Sequence, residues 1–280
     1  MPRTLSFPRR VEQSLLTEFR EGIWRPFMRA VRDYQLIQAG DRIAVCVSGG
    51  KDSMLLAKLM QLLQRHSEVP FKAVYLIMDP GYRPEIRRRA EAVAGQLDIP
   101  YVLFESDVFE AAEAAGPAGR PCFMCARMRR GCLYGRAQAL GCNKIALGHH
   151  FDDVIETTVM AMLHSGQIQA MPPMLAARNF PGMRLIRPMY RVREADILGW
   201  RDAFGLEFIR CACRFAERQD EGVSKRQAVK ALLDRLEQDD PKVKQNVFNS
   251  IHRVQLDTLV GWKTRGEEHS FLENLEDDQF

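Results

Sequence analysis

Three groups of residues in this 280-residue chain have the types and spacing that chemistry needs. The first is Ser48-Gly49-Gly50-Lys51-Asp52-Ser53, which follows the apolar run 43–47 and precedes a helical pattern over 54–63. A glycine-rich turn between a buried strand and a helix is an anion site. Glycines let the backbone approach phosphate oxygens, free amides at the helix start point at them, and the helix dipole favours negative charge. Lys51 adds a point charge, while Ser48 and Ser53 add hydroxyl donors. The pattern is not Gly-x4-Gly-Lys-Ser/Thr, because Val45 stands where the first glycine belongs and Asp52 follows the lysine. An aspartate among phosphate ligands repels them unless a cation intervenes. Asp52 therefore reads as a magnesium ligand or phosphate-orienting group, with a helix cap as the bland alternative.

The second group is Gly148-His149-His150-Phe151-Asp152-Asp153, where an apolar run ends and a helical pattern starts. By themselves a histidine pair and an aspartate pair at a helix start read as capping. The third group is cysteine. Seven cysteines are an odd number scattered through a chain large enough to build a core, so a disulfide framework is excluded as the organising device. Cys46, Cys132 and Cys142 stand alone and read as small buried hydrophobes. Cys122-Phe-Met-Cys125 and Cys211-Ala-Cys213 come as close pairs. Three such thiolates can hold a 4Fe-4S cluster and leave one iron open, and four can hold zinc.

Positioning these groups takes a sheet. Short apolar runs at 43–47, 71–78, 101–104 and 144–147 alternate with helical patterns at 54–63, 84–97, 124–140 and 152–163. Buried strands separated by helices of about a dozen residues predict a parallel sheet covered on both faces. A basic helical stretch over 11–37, with a break at Pro26, precedes it. Beyond residue 165 the pattern predicts a proline-rich loop with one short strand over 171–188, then helices at 193–204, 225–238 and 243–260. The division read from this is an N-terminal helical segment 1–40, a nucleotide-binding domain 41–200 and a helical C-terminal region 201–280.

The first two groups together resemble the PP-loop ATP pyrophosphatase family, through Ser-Gly-Gly-Lys-Asp-Ser and Gly-His-x-x-Asp-Asp. The resemblance implies cleavage of ATP between its α and β phosphates, with Ser48, Gly49, Gly50, Lys51, Asp52, Ser53, Gly148 and His149 around the nucleotide. Lys51, Asp52 and Asp153 would carry the chemistry with Mg2+. With Cys-x-x-Cys-x-Arg-x-Arg-Arg-Gly, Met171-Pro-Pro, Arg187-Pro188 and Arg193-Glu194 in order, the chain is similar to the tRNA 2-thiocytidine synthetase family over roughly 23–251. That resemblance implies adenylation of the C2 oxygen of a tRNA cytidine, then sulfur transfer from the open iron of a 4Fe-4S cluster on Cys122, Cys125 and Cys211, with release of AMP and pyrophosphate. Cys213 is the rival third ligand, because the family's Cys-x-x-Cys-Gly is here Cys-x-Cys. The insertion 215–223 and Val254-Gln255-Leu256 in place of the family's closing Pro-Ser-His also depart from the pattern.

Charge suits a polyanionic partner, with solubility alone as an equal reading of it. The last fifteen residues hold six acids and no Lys or Arg, so the first 265 carry all 40 basic side chains against 30 acids. Arg127 to Arg136, with Arg184, Arg187, Arg191 and Arg193, would offer phosphate contacts to tRNA. No apolar run approaches the ~18 residues that cross a membrane, and a cytoplasmic protein follows, with the Arg-rich, acid-poor start leaving organellar targeting as the lesser reading. The family further implies a sulfur donor, sulfide or a cysteine desulfurase, and a homodimer. The competing readings are a PP-loop adenylating ligase or amidotransferase with a structural zinc site, and a non-catalytic iron–sulfur RNA-binding protein.

Overall fold

The computed structural model describes residues 5–114, 121–209 and 224–273, with the side chains of 121–123 outside the description. Six strands form the central sheet: β1 Arg42–Val47, β2 Lys72–Asp79, β3 Val102–Glu105, β4 Lys144–Ala146, β5 Met174–Ala176 and β6 Arg184–Ile186. Their order is β3-β2-β1-β4-β6-β5, parallel except for the antiparallel edge pair β5–β6. β1 is central, and its residues from Ile43 onward are all buried, which is why it reads as an unbroken apolar run.

The helices are α1 Phe7–Leu16, α2 Arg25–Asp33, α3 Lys51–His66, α4 Pro84–Gln96, α5 Val108–Ala114, α6 Pro121–Ala139, α7 Phe151–Ser165, α8 Glu194–Ala203, α9 Lys225–Asp239 and α10 Val243–Ser250. α3 is the most embedded, with ten buried residues between β1 and the N-terminal helices. Its Lys58 is fully buried and donates to Glu12 and to the Leu97 carbonyl, which ties α1 and the end of α4 to the core. Such a buried pair fixes geometry more than it adds stability. Lys144 of β4 is held the same way by Asp41 and the Leu36 carbonyl.

Several expectations are corrected. The first helical stretch is not broken at Pro26, which sits harmlessly in the first turn of α2; it is interrupted upstream by a π-helical turn, Arg20–Trp24. The helix expected over 243–260 ends at Ser250. A 3-10 turn, Leu256–Thr258, and a hairpin of β7 Gly261–Thr264 and β8 Glu267–Ser270 follow, so the C-terminal region is not wholly helical. The loop 171–188 carries two strands instead of one, and α5 lies where no helix is expected. None of the described helices is long and apolar enough to cross a membrane.

Candidate active site

The strand order reverses beside β1, since β2 leaves it on one side and β4 on the other. That switch point is where open parallel sheets hold ligands, beyond the carboxyl ends of the strands. The loop after β1 and the loop after β4 meet there. Gly49 takes φ +86°, a left-handed conformation that costs glycine little, and Gly50 caps α3 in an extended conformation. Gly148 lies so close that an added Cβ would stand 3.0 Å from the Asp52 carbonyl carbon and 3.1 Å from the Ser53 nitrogen. Ser53 organises the turn: its hydroxyl accepts from the Ser48 N–H at 3.0 Å and donates to the Gly50 carbonyl at 2.9 Å.

The charged groups are already paired. The Lys51 ammonium contacts Asp52 and Glu194, each at 3.0 Å. Burial alone would lower the Lys51 pKa, but the two carboxylates outweigh it and hold the amine above its ordinary value. Burial would likewise raise Glu194; hydrogen bonds from Lys230 and Lys51 overcome that and hold it down at about 2. Asp153 closes a capping box with its Oδ2 on the His150 N–H at 2.9 Å, while its Oδ1 accepts from Arg226. Capping and ligand-facing roles are therefore not exclusive for this residue. Arg226 also donates to buried Glu156 at 2.7 Å, and Asp152 accepts the Glu194 N–H at 2.7 Å.

His149 is pushed down to about 4, first by burial and further by Arg187 and Arg226, with Asp153 opposing. It is neutral at physiological pH, and its Nδ1 is buried without a hydrogen-bond partner among the described residues. His150 is 5% exposed, with its ring nitrogens 3.5 to 3.8 Å from Asp52, Asp152 and Asp153.

Of these groups Ser48, Lys51, Asp52 and Glu194 line a cleft of about 1240 Å3, together with Tyr82 and Arg129, whereas His149, His150, Asp153 and Arg226 lie outside its lining. Its size exceeds the usual range for one small ligand and leaves room for a nucleotide beside a second substrate. Tyr82 joins the cysteine region to this cleft. It packs in one apolar cluster with Val108, Phe109, Ala112 and Cys125, and its hydroxyl accepts from Arg129 at 3.4 Å. Cys125 and Arg129 are four residues apart on α6 and so share a face. Cys122 begins the same helix, one turn before Cys125. Cys211 and Cys213 lie outside the described residues, which end on that side at Ile209. The Ile209 N–H donates to the Gly49 carbonyl at 3.2 Å, so the last described residue before them is tied to the phosphate-binding turn.

The solitary cysteines behave as small hydrophobes where buried. Burial pushes the Cys46 thiol up to about 12, and Cys142 lies in the same cluster. Cys132 is only half-buried. Of the basic clusters expected to face RNA, Arg187 is buried and donates to the Pro172 carbonyl, which makes it a structural group. Arg191 and Arg193 sit over aromatic rings. Sequence reading missed His150, Glu194, Arg226 and Lys230 as site residues. Arg193-Glu194 at a helix start carried a signal; the spacing of Arg226 and Lys230 names no partner across the fold. Among the described residues no group of three or more His, Cys, Asp or Glu side chains is assembled to hold a metal.

The fold and the cleft define a PP-loop protein, and the PP-loop domain family matches residues 23–213. The chain is 36% identical to the tRNA-cytidine(32) 2-sulfurtransferase of Alkalilimnicola ehrlichii over 81% of this chain and 71% of that one. It is also 36% identical to the enzyme of the same name from Pelobacter propionicus, over 95% and 96% of the two chains. Among solved structures it resembles the U34-tRNA thiolase NcsA of Methanococcus maripaludis, described with its [4Fe-4S] cluster. There the TM-score is 0.68 at 20% identity, covering 91% of this chain and 83% of that one. The chain belongs to the tRNA-cytidine(32) 2-sulfurtransferase family and is a sulfurtransferase enzyme.

Proposed function

We propose that this protein thiolates a tRNA cytidine in two steps, adenylating the C2 oxygen with ATP and then replacing it with sulfur, so that AMP and pyrophosphate are released. The observation that carries this reading is the single cleft. The phosphate-binding turn opens into it, the cysteine-bearing helix α6 borders it through Arg129 beside Tyr82, and Ile209, the last described residue before Cys211 in the sequence, lines it. A carbonyl oxygen is a poor leaving group, and joining AMP to it splits one hard displacement into two easier ones.

The residues fit ATP. A Cβ at Gly148 would meet loop backbone, Gly49 is left-handed, and the first-turn amides of α3 are aimed past Gly50. The free Nδ1 of neutral His149 is a ready partner for a polar group of the nucleotide. Lys51 would exchange Asp52 and Glu194 for phosphate oxygens. Asp52, released from it, would hold Mg2+ together with those oxygens, since this ion needs only one or two carboxylates besides phosphates and water. Asp153, paired with Arg226, lies with Asp52 around His150. His149, Gly148 and the Ser48–Ser53 turn thus bind and orient, and Asp52, Lys51 and Asp153 act on the developing charge.

Thiolates of three cysteines are the chemistry that a 4Fe-4S cluster with one open iron takes. Cys122 and Cys125 are one turn apart at the start of α6, and Cys125 is buried in an apolar cluster. Cys122, Cys125 and Cys211 would hold the cluster, with Cys213 as the alternative to Cys211. When bound, the cluster supplies an iron open to a hydrosulfide. Sulfide or a desulfurase would deliver that sulfur, and we further infer a cytoplasmic homodimer. The test is anaerobic. Protein reconstituted with iron and sulfide is incubated with ATP, magnesium, sulfide and unmodified tRNA, and the nucleosides are analysed by mass spectrometry. A 2-thiocytidine peak that needs both ATP and iron supports the proposal. No thionucleoside from iron-loaded protein would falsify it.

A further inference from the structure

A row of exposed arginines lies apart from the nucleotide cleft. Arg20, Arg25, Arg29 and Arg32 line one groove of about 780 Å3 between the N-terminal helices, the start of α7 and α10. On a regular α-helix residues five apart point about 140° away from each other, so Arg20 would leave the row. The π turn prevents this. The Arg25 N–H donates to the Arg20 carbonyl, five residues back, and the extra residue is absorbed. Ile23, Phe27 and Ala30 on the opposite face are fully buried, which locks the register. Such turns sacrifice hydrogen-bond geometry and are kept mostly where a function needs them.

The remaining walls suit the same ligand. Arg191 and Arg193 stand across the groove, and Trp24, Phe151 and Phe248 supply aromatic surface between. Six guanidinium groups there meet four carboxylates. Glu21 pairs with Arg25, Asp33 is shared by Arg29, Arg32 and Arg191, Glu237 pairs with Arg193, and Asp196 lines the floor. A positive excess remains, and Arg20 has no ion-pair partner among the described residues. Residues 1–40 contain seven arginines and no lysine. A face kept only for solubility needs no such bias; guanidinium takes phosphate oxygens two at a time and stacks on bases.

We propose that this groove docks the sugar–phosphate backbone of the RNA substrate, a proposal that rests on the tRNA reading above. Its position suits that role, because Phe151 and Arg193 on its walls immediately precede Asp152-Asp153 and Glu194 of the active site. The phosphate contacts would come from an N-terminal row that the sequence presents only as a basic helical stretch.

The test measures binding of unmodified tRNA to the full-length iron-loaded protein across a salt series. R20Q/R25Q/R29Q is compared with R88Q/R235Q/R265Q, which removes three exposed arginines elsewhere. The groove triple is expected to bind about tenfold or more weakly near 0.1 M salt, with a slope of log K against log salt shallower by about 2. The control triple is expected within about threefold of wild type. R20Q alone disturbs no ion pair among the described residues and guards against misfolding; it should weaken binding about threefold at unchanged Tm. Equal losses in both triples would mean net charge alone, and a groove triple that binds like wild type would mean another surface; either overturns the groove. Wild-type protein that binds no tRNA overturns the function itself, and the groove with it.

Discussion

The two loops that meet at the nucleotide cleft follow strands of the central sheet, whereas Cys122 and Cys125 stand on a helix packed chiefly against another helix. Ser48 to Ser53 follow the central strand β1, and Gly148 to Asp153 follow its neighbour β4. Cys122 and Cys125 start α6, which packs chiefly on α5 with lighter contact to β1 and β4. Ion pairs crowd the first region. The second is apolar around Cys125, with Tyr82 as the side chain common to both. On the proposed function the contrast is a division of labour, in which rigid backbone and charge would serve phosphate and a low-dielectric shell would serve sulfur.

The largest expected effects separate the two regions. Asp52→Ala should cut ATP-dependent adenylation by roughly a thousandfold, read as pyrophosphate exchange, while the protein keeps its iron. Cys125→Ala should abolish thiolation and lower the iron content, yet leave the KM for ATP within about threefold. A Cys125→Ala enzyme with full thiolation would place sulfur handling elsewhere.

Gly148→Ala sharpens the first half of the contrast. Its methyl would press on loop backbone instead of a movable side chain, so the turn must shift. The KM for ATP should rise about ten- to a hundredfold and stability should fall by about 1 to 3 kcal/mol in chemical denaturation. No change would mean that the two loops do not touch as described.

A smaller effect tests the reach of α9. Burial pushes the pKa of Glu156 up against the opposing pull of Arg226, so Arg226→Met should destabilise the fold by leaving that carboxylate unpaired. Adding Glu156→Gln should restore the Tm. The KM for ATP should stay several-fold high in the double variant, because Asp153 has lost its cation. Full recovery of the KM would reduce Arg226 to a structural role.

The smallest effect concerns pH. His149 has its pKa depressed to about 4 in the folded chain, against about 6.5 when unfolded. The unfolded state binds the extra proton first, so this contribution to stability is complete above pH ~6.5 and is lost as pH falls toward 4. His149→Gln should flatten the loss in denaturation midpoint over that window. An unchanged profile would contradict a buried neutral imidazole.

The sheet, its crossover helices and both nucleotide motifs were legible because each is local. A buried strand is an apolar run, and Ser48 to Ser53 occupy six consecutive positions. Long-range choices were not. Nothing in the periodicity of 243–260 shows that α10 ends at Ser250, two residues after the buried Phe248, or that a hairpin follows. Arg187 reads as a surface cation because burial against Pro172 is set by a segment fifteen residues away. Glu194 acquires its place only when α8 meets α3, and Arg226 only when α9 meets the first turns of α7. Arg20 joins its row through a π turn, which changes the period that pattern reading assumes.

The most direct measurement is the ratio of AMP released to 2-thiocytidine formed by the anaerobic, iron-loaded enzyme on unmodified tRNA. One AMP per thiocytidine, with neither product from Asp52→Ala, is the result that a single cleft joining ATP cleavage to sulfur transfer predicts. Thiocytidine formed without AMP, or AMP released at the same rate with no thiocytidine, would contradict it.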